Sequence, residues 1–279
     1  MIGRRELLVG TACSLLPGAA RAEAAGKMPV LYVSHGAPLY LPGSETRRVA
    51  LGAWAAKLPK PRAIVVMTPH FASRELEMGI TRRGFAWYDL PVGMKRLLPQ
   101  DLEYATPPSA ELSRRVEALL GARVRRAEDR RGFDHTTWMP LRVMFPAADA
   151  PVLELAYPYV DEASLFRLGE TLAPLRDEGV LFVASGGMTH NLAMPFSGPV
   201  PAFAWEFDAW AVDALTRRDV DVLLDWRRRA PASRLAHPDD GAHFRVLFAA
   251  LGVGGGSARA TFPVAGFESA LSLRSVELR

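Results

Sequence analysis

Apolar positions in this chain fall into two spacings. Four runs of strand length, Pro29 to Val33, Ala63 to Thr68, Val152 to Ala156 and Val180 to Ala184, are leucine-rich or β-branched and do not alternate with polar residues. That pattern belongs to strands buried on both faces. Apolar residues recur with helical period over Glu45 to Lys57, Ser109 to Leu120, Glu162 to Arg176 and Phe203 to Arg228. A further helix is predicted from Ala242 to Leu251, stopped by Gly252 and Gly254, with the glycine run to Gly256 read as a linker. Strands alternating with helices predict an α/β fold, a single domain with a largely parallel central sheet flanked by helices. Two stretches carry neither period. Phe85 to Pro108, with Pro91, Pro99, Pro107 and Pro108, reads as an excursion that roofs a pocket, and Arg125 to Thr137 reads as a second loop.

The first 22 residues stand outside this pattern. Arg4-Arg5 precedes an apolar run from Leu7 to Leu16, and a small-residue site, Ala20-Arg21-Ala22, follows. Together these read as a secretory signal of the twin-arginine type over 1–22, leaving 23–279 as one exported, periplasmic domain. The alternative is a frayed, weakly amphipathic helix on a cytoplasmic protein. The apolar run falls short of the ~20 residues that span a bilayer, so no membrane span is expected. Cys13, the one cysteine, lies inside this segment. A mature chain then offers neither disulfides nor thiolate ligands, and any metal must be held by imidazole and oxygen.

Composition changes little. Hydrophobic residues make up 49% and charged residues 23%, ordinary for a globular chain with a full core. The net charge of +4 falls to +2 once 1–22 is removed, because three basic residues and one acidic leave with it. Arg125-Arg126 with Arg130-Arg131, and Arg227-Arg228-Arg229, form local basic patches that read as solvated faces. No basic stripe is interleaved with aromatics, so nucleic acid is not an expected partner.

The six histidines carry the candidate chemistry. His35 follows the first apolar run at once, His70 follows the second, and His190 lies six residues beyond Ala184. Ligands of open α/β sheets bind beyond the carboxyl ends of the strands, so these imidazoles could converge on that rim. His243 opens the last predicted helix, from which it could join them or simply interact with Asp240. His135 stands between Asp134 and Thr136, a pairing that serves either a site or the local structure. His237, followed by Pro238 in a polar loop, is the weakest candidate. Competing chemistries lack their residues: there is no G-x-S-x-G elbow, no phosphate-binding glycine loop with its lysine and no H-E-x-x-H. A thiolate-free imidazole site for a metal is left.

Several segments then match a known pattern in order and spacing. They are Ser34-His35-Gly36-Ala37-Pro38, Thr68-Pro69-His70-Phe71, the block from Gly132 to Leu141 (G-F-D-H-T-T-W-M-P-L) and the block from Ser185 to Leu192 (S-G-G-M-T-H-N-L). With His237-Pro238 and Ala242-His243-Phe244, they resemble the 4,5-DOPA extradiol dioxygenase family, among the class III extradiol ring-cleaving enzymes. The likeness runs from about Met28 to Arg274. It implies that His35, His70 and His243 hold a divalent metal. It further implies that His190 is the acid/base, near enough to act as a fourth ligand, and that His135, oriented by Asp134, contacts substrate or dioxygen. The implied substrates are a small aromatic diol and O2. Fe(II) is the implied metal of turnover, while an all-imidazole set also suits Zn(II). The His237-to-His243 spacing is one residue longer than the family's, and Tyr88 to Pro108 matches poorly. A zinc hydrolase on the same fold and a non-catalytic metal-binding or interaction protein are the alternatives. Trp138 and Tyr157 read as core packing or as pocket lining.

Overall fold

The four unbroken apolar runs form the middle of one sheet. The computed structural model describes residues 26–79, 86–99, 101–127 and 132–279, so the expected signal segment 1–22 and Arg130-Arg131 lie outside the described residues. Its strands are β1 (Val30–Ser34), β2 (Ala63–Ser73), β3 (Leu76–Gly79), β4 (Val124–Ala127), β5 (Val152–Pro158), β6 (Val180–Gly186), β7 (Ala260–Val264), β8 (Phe267–Glu268), β9 (Leu271–Ser272) and β10 (Ser275–Leu278). Eight of them form a sheet in the order β4-β3-β5-β2-β6-β1-β10-β7, and β8 pairs with β9 in a small hairpin. The central β5-β2-β6-β1 block is parallel throughout. Antiparallel pairs appear toward the edges, where β10 joins β1 to β7 and β3 joins β5.

Successive residues of one strand feed opposite cores. Val30 and Tyr32 of β1, with Val65 and Met67 of β2, pack beneath the helices Ala110–Leu120, Glu162–Leu172, Ala202–Arg217 and Ala242–Gly254. Leu31 and Val33, with Ile64 and Val66, pack on the other face against the helices Glu45–Ala55 and His135–Met144. A strand with a core on each side has no face left for polar residues, which is why its sequence does not alternate. Trp138 and Tyr157 are both fully buried in these cores. No helix of the described residues is long and apolar enough to cross a membrane.

Several element boundaries differ from expectation; β2, expected to end at Thr68, runs to Ser73 and takes in His70. The Phe203-to-Arg228 helix stops at Arg217, because Arg218 turns left-handed (φ 59°) and the Asp219 carboxylate caps a new short turn by accepting from the Val222 N–H. The second loop is only partly a loop: β4 enters it, and from His135 the chain is helical, with Asp134 as N-cap. The last helix runs through Gly252 to Gly254 and ends at Gly255 (φ 82°). Gly252 is there for contact. A Cβ on it would sit 2.0 Å from the Phe166 carbonyl oxygen, and one on Gly169 would sit 2.1 Å from the Ala249 carbonyl oxygen. Two facing glycines thus let the Glu162–Leu172 and Ala242–Gly254 helices touch backbone to backbone. Gly252→Ala is expected to overpack this crossing and cost about 1–3 kcal/mol, read as a lower denaturation midpoint; an unchanged midpoint would refute the close approach.

Candidate metal centre

Each candidate histidine is placed by a backbone feature at the carboxyl edge of the sheet. His35 is the first residue past β1, its N–H donating to the Gly186 carbonyl at 3.0 Å. The turn that follows uses Gly36 at φ +59°, where any Cβ would lie 2.2 Å from Arg47 Nη1. Buried Arg47 donates to the Ala37 carbonyl (2.6 Å) and pairs with Glu268 of β8 (2.5 Å), while Glu268 accepts the Ala37 N–H (2.8 Å). His70 lies inside β2, where the register with β5 shifts between Thr68 and Ala72. His190 donates its N–H to the Ala236 carbonyl at 2.9 Å. His243 is the second residue of its helix, and its carbonyl accepts from the Gly187 N–H (3.0 Å) and the Tyr32 hydroxyl (3.0 Å). Gly186 makes this possible, since a Cβ there would stand 2.0 Å from the same carbonyl.

These placements bring five imidazoles together. Ring centroids are 5.9 Å apart for His35 and His70, 5.3 Å for His35 and His243, and 5.4 Å for His70 and His243. One ring nitrogen from each of these three lies within 4.8 Å of the others, a spacing that lets one cation reach all three. His190 stacks on His243 at 3.4 Å, nearly parallel, and His135 stands 4.7 Å from His70. His35, His135 and His243 are buried, whereas His70 is exposed and opens the cluster to solvent.

Partner chemistry sets where the ring protons sit. Pro140 has no N–H, so the carbonyl four residues back, Thr136, is left without its helical donor. The Ser185 hydroxyl fills that vacancy, donating to Thr136 O at 2.6 Å. Having spent its one proton, Ser185 Oγ can only accept from His35 Nδ1 at 3.2 Å, which leaves Nε2 of His35 as the lone-pair nitrogen. Burial, then the neighbouring imidazoles, push His35 and His243 well below the usual histidine range, so both are neutral, as metal ligands must be. Among the described residues, neither ring nitrogen of buried His243 has a hydrogen-bond partner. A buried imidazole with both nitrogens unpaired is costly, and a cation beside it removes that cost. The residues therefore fit a metal.

Two carboxylates of the site are not legible from the sequence. Asp89 accepts from the backbone N–H (2.8 Å) and Nδ1 (2.9 Å) of His135, and its other oxygen lies 3.4 Å from His70 Nδ1. Burial pushes its pKa up, but the hydrogen bonds from His135 and His70 overcome this and hold the carboxyl well below the usual carboxylate range. Asp239 stands 3.6 Å behind His190 Nδ1 and is held low in the same way, by His190 and the Gly241 N–H against the effect of burial. The expected orienter of His135, Asp134, instead caps the helix, accepting from the N–H groups of Thr136 and Thr137. Asp240 does not engage His243 in that expected helix-start contact; it accepts from the Ala242 N–H.

His237 is outside the site. Its ring is caged by Phe207, Trp226 and Phe244, and Nε2 donates to the Met188 carbonyl at 3.0 Å. Full burial lowers its pKa to about 3. An unfolded chain protonates this histidine near pH 6.5 and the folded one near 3, so its contribution to stability is complete above pH 6.5 and is lost as pH falls toward 3, on the order of 4 kcal/mol. His237→Gln, which keeps a donor for Met188, is expected to flatten that acid limb in denaturant titrations; an unchanged slope would contradict the buried neutral ring.

The chain has relatives among known proteins. A family model described as the catalytic LigB subunit of aromatic ring-opening dioxygenase matches residues 30–272. A Beta vulgaris protein named 4,5-DOPA dioxygenase extradiol is 34% identical over 82% of this chain and 88% of its own. An Escherichia coli protein of the same name is 30% identical over 90% and 95%. A crystal structure of an uncharacterized Escherichia coli K12 protein superposes with a TM-score of 0.75 at 29% identity, covering 91% of this chain and all of that one. Fold, site and likeness agree, and the chain belongs to the LigB family of aromatic ring-opening dioxygenases.

Proposed function

We propose that this protein is an extradiol dioxygenase that opens the ring of a catechol with O2, using a divalent metal held by His35, His70 and His243, with Fe(II) in turnover. The observation that carries this reading is His243, buried among three other imidazoles with both of its ring nitrogens unpaired. A metal bound there supplies Lewis acidity toward the catechol oxygens and, as Fe(II), a redox route between the diol and O2. His190, stacked on His243 and backed by Asp239, is the acid/base. With Asp239 behind Nδ1, its Nε2 takes a proton from a catechol hydroxyl and returns it later in the cycle. Close stacking on His243 also lets His190 serve as a fourth ligand before substrate arrives. His135, the fifth imidazole, contacts substrate through Nε2.

The all-nitrogen set also favours Zn(II), so a zinc hydrolase on the same residues is the second reading. Anaerobic loading with Fe(II), followed by oxygen uptake against a panel of catechols, separates the two. Ring cleavage predicts one O2 consumed per yellow semialdehyde formed. His190→Ala should lower kcat by about 10²- to 10⁴-fold with metal retained, and His35→Ala should lose the metal. Activity with zinc under nitrogen, or no turnover across the panel at full iron occupancy, would defeat the dioxygenase reading.

A further inference from the structure

Asp89 serves two histidines with one carboxylate. Oδ1 accepts both the backbone N–H and Nδ1 of His135, at 2.8 and 2.9 Å, and Oδ2 faces His70 Nδ1 at 3.4 Å. Its own place is set by backbone. Ala86 bridges to Phe133, the Trp87 N–H donates to the Phe133 carbonyl (2.8 Å), and the Trp138 indole N–H donates to the Trp87 carbonyl (3.1 Å). Leu90 on its other side is buried. The segment that carries Asp89 is thus sewn to the head of the His135 helix, and the carboxylate between them has little freedom.

An ionised carboxylate can only accept hydrogen bonds, so each ring nitrogen facing it carries a proton, and in a neutral ring that leaves the lone pair on Nε2. We propose that Asp89 is a positioning residue that fixes two functions at once: His70 as a metal donor through Nε2, and His135 as a hydrogen-bond acceptor for a substrate hydroxyl. The proposal rests on the ring-cleaving reading for the use of the site, and goes beyond it in coupling metal hold to substrate hold through one side chain. A His135 locked as acceptor selects ligands that bring a donor, a free hydroxyl rather than an ether, to that side of the pocket.

The test reads tautomers directly. Histidine-15N-labelled protein, metal-free and loaded with Zn(II), is examined by long-range 1H–15N correlation, with assignments from single histidine substitutions. Wild type should show His70 and His135 protonated at Nδ1. Asp89→Asn, close to isosteric but able to donate, should break that state in His135 and weaken Zn(II) binding about 10- to 100-fold. In the iron-loaded enzyme it should lower kcat by more than it raises KM. A wild-type His135 protonated at Nε2 would overturn the proposal, whether or not the variant folds. So would an Asp89→Asn protein with an unchanged His135 spectrum and zinc affinity. The expected tautomers with no ring cleavage would sink the functional reading and leave the role of Asp89 standing.

Discussion

His35 and His243 are buried against other imidazoles and can stand there only as neutral rings, and that constraint organises much of what surrounds them. Each charged ring would face the cost of burial and the repulsion of its neighbours, which is why His35 and His243 are pushed so far toward the neutral form. A neutral imidazole still carries one N–H that needs an acceptor. Ser185 takes that of His35, and Asp89 takes those of His135 and His70. Among the described residues, both ring nitrogens of His243 are left without a hydrogen-bond partner, as is Nδ1 of His190, which Asp239 faces at 3.6 Å. The rings are dressed on their outer sides, so the bare nitrogens are what remain for a cation.

The scaffold delivers this arrangement by removing atoms. Pro140 removes an N–H and so hands the Thr136 carbonyl to Ser185, which turns Ser185 into an acceptor for His35. Gly186 removes a Cβ and lets the start of the last helix settle on the end of β6, and Gly252 and Gly169 let the same helix lie against its neighbour. His243 therefore stands on a helix braced at both ends. Packing and chemistry are linked here through a few missing groups, each with a measurable cost if restored.

Which parts were legible follows from the same physics. Strands buried on both faces announce themselves as unbroken apolar runs, so the parallel centre of the sheet and its carboxyl edge could be read, and with them the positions of His35, His70 and His190. β3, β4 and β7 to β10 are two to five residues long and sit toward the edges, where polar residues are tolerated and no run develops. The head of the His135 helix reads as part of a loop, and the carbonyl that Pro140 frees in it is satisfied by Ser185, a residue far away in the chain. Gly252 read as a stop because the chain alone does not show Phe166 across from it. Asp89 had no signal beyond being an acid in an aromatic stretch, Trp87-Tyr88-Asp89-Leu90, since a bridging carboxylate has no period.

The loop from His237 to His243 is held by its backbone while it places a buried ring at one end and a ring of the site at the other. Arg227 lies 4.0 Å over the Trp226 ring and donates to the carbonyls of His237 and Asp239, so one arginine of a patch that read as solvated holds the loop by its backbone. Gly241, at φ +76°, turns the chain against Trp226, where a Cβ would meet the indole at 2.5 Å. Asp239 accepts the Gly241 N–H at 2.8 Å and keeps its other oxygen toward His190. This turn is thus capped by the carboxylate behind the proposed acid/base, so the loop that leads to His243 also supplies the acid that faces His190.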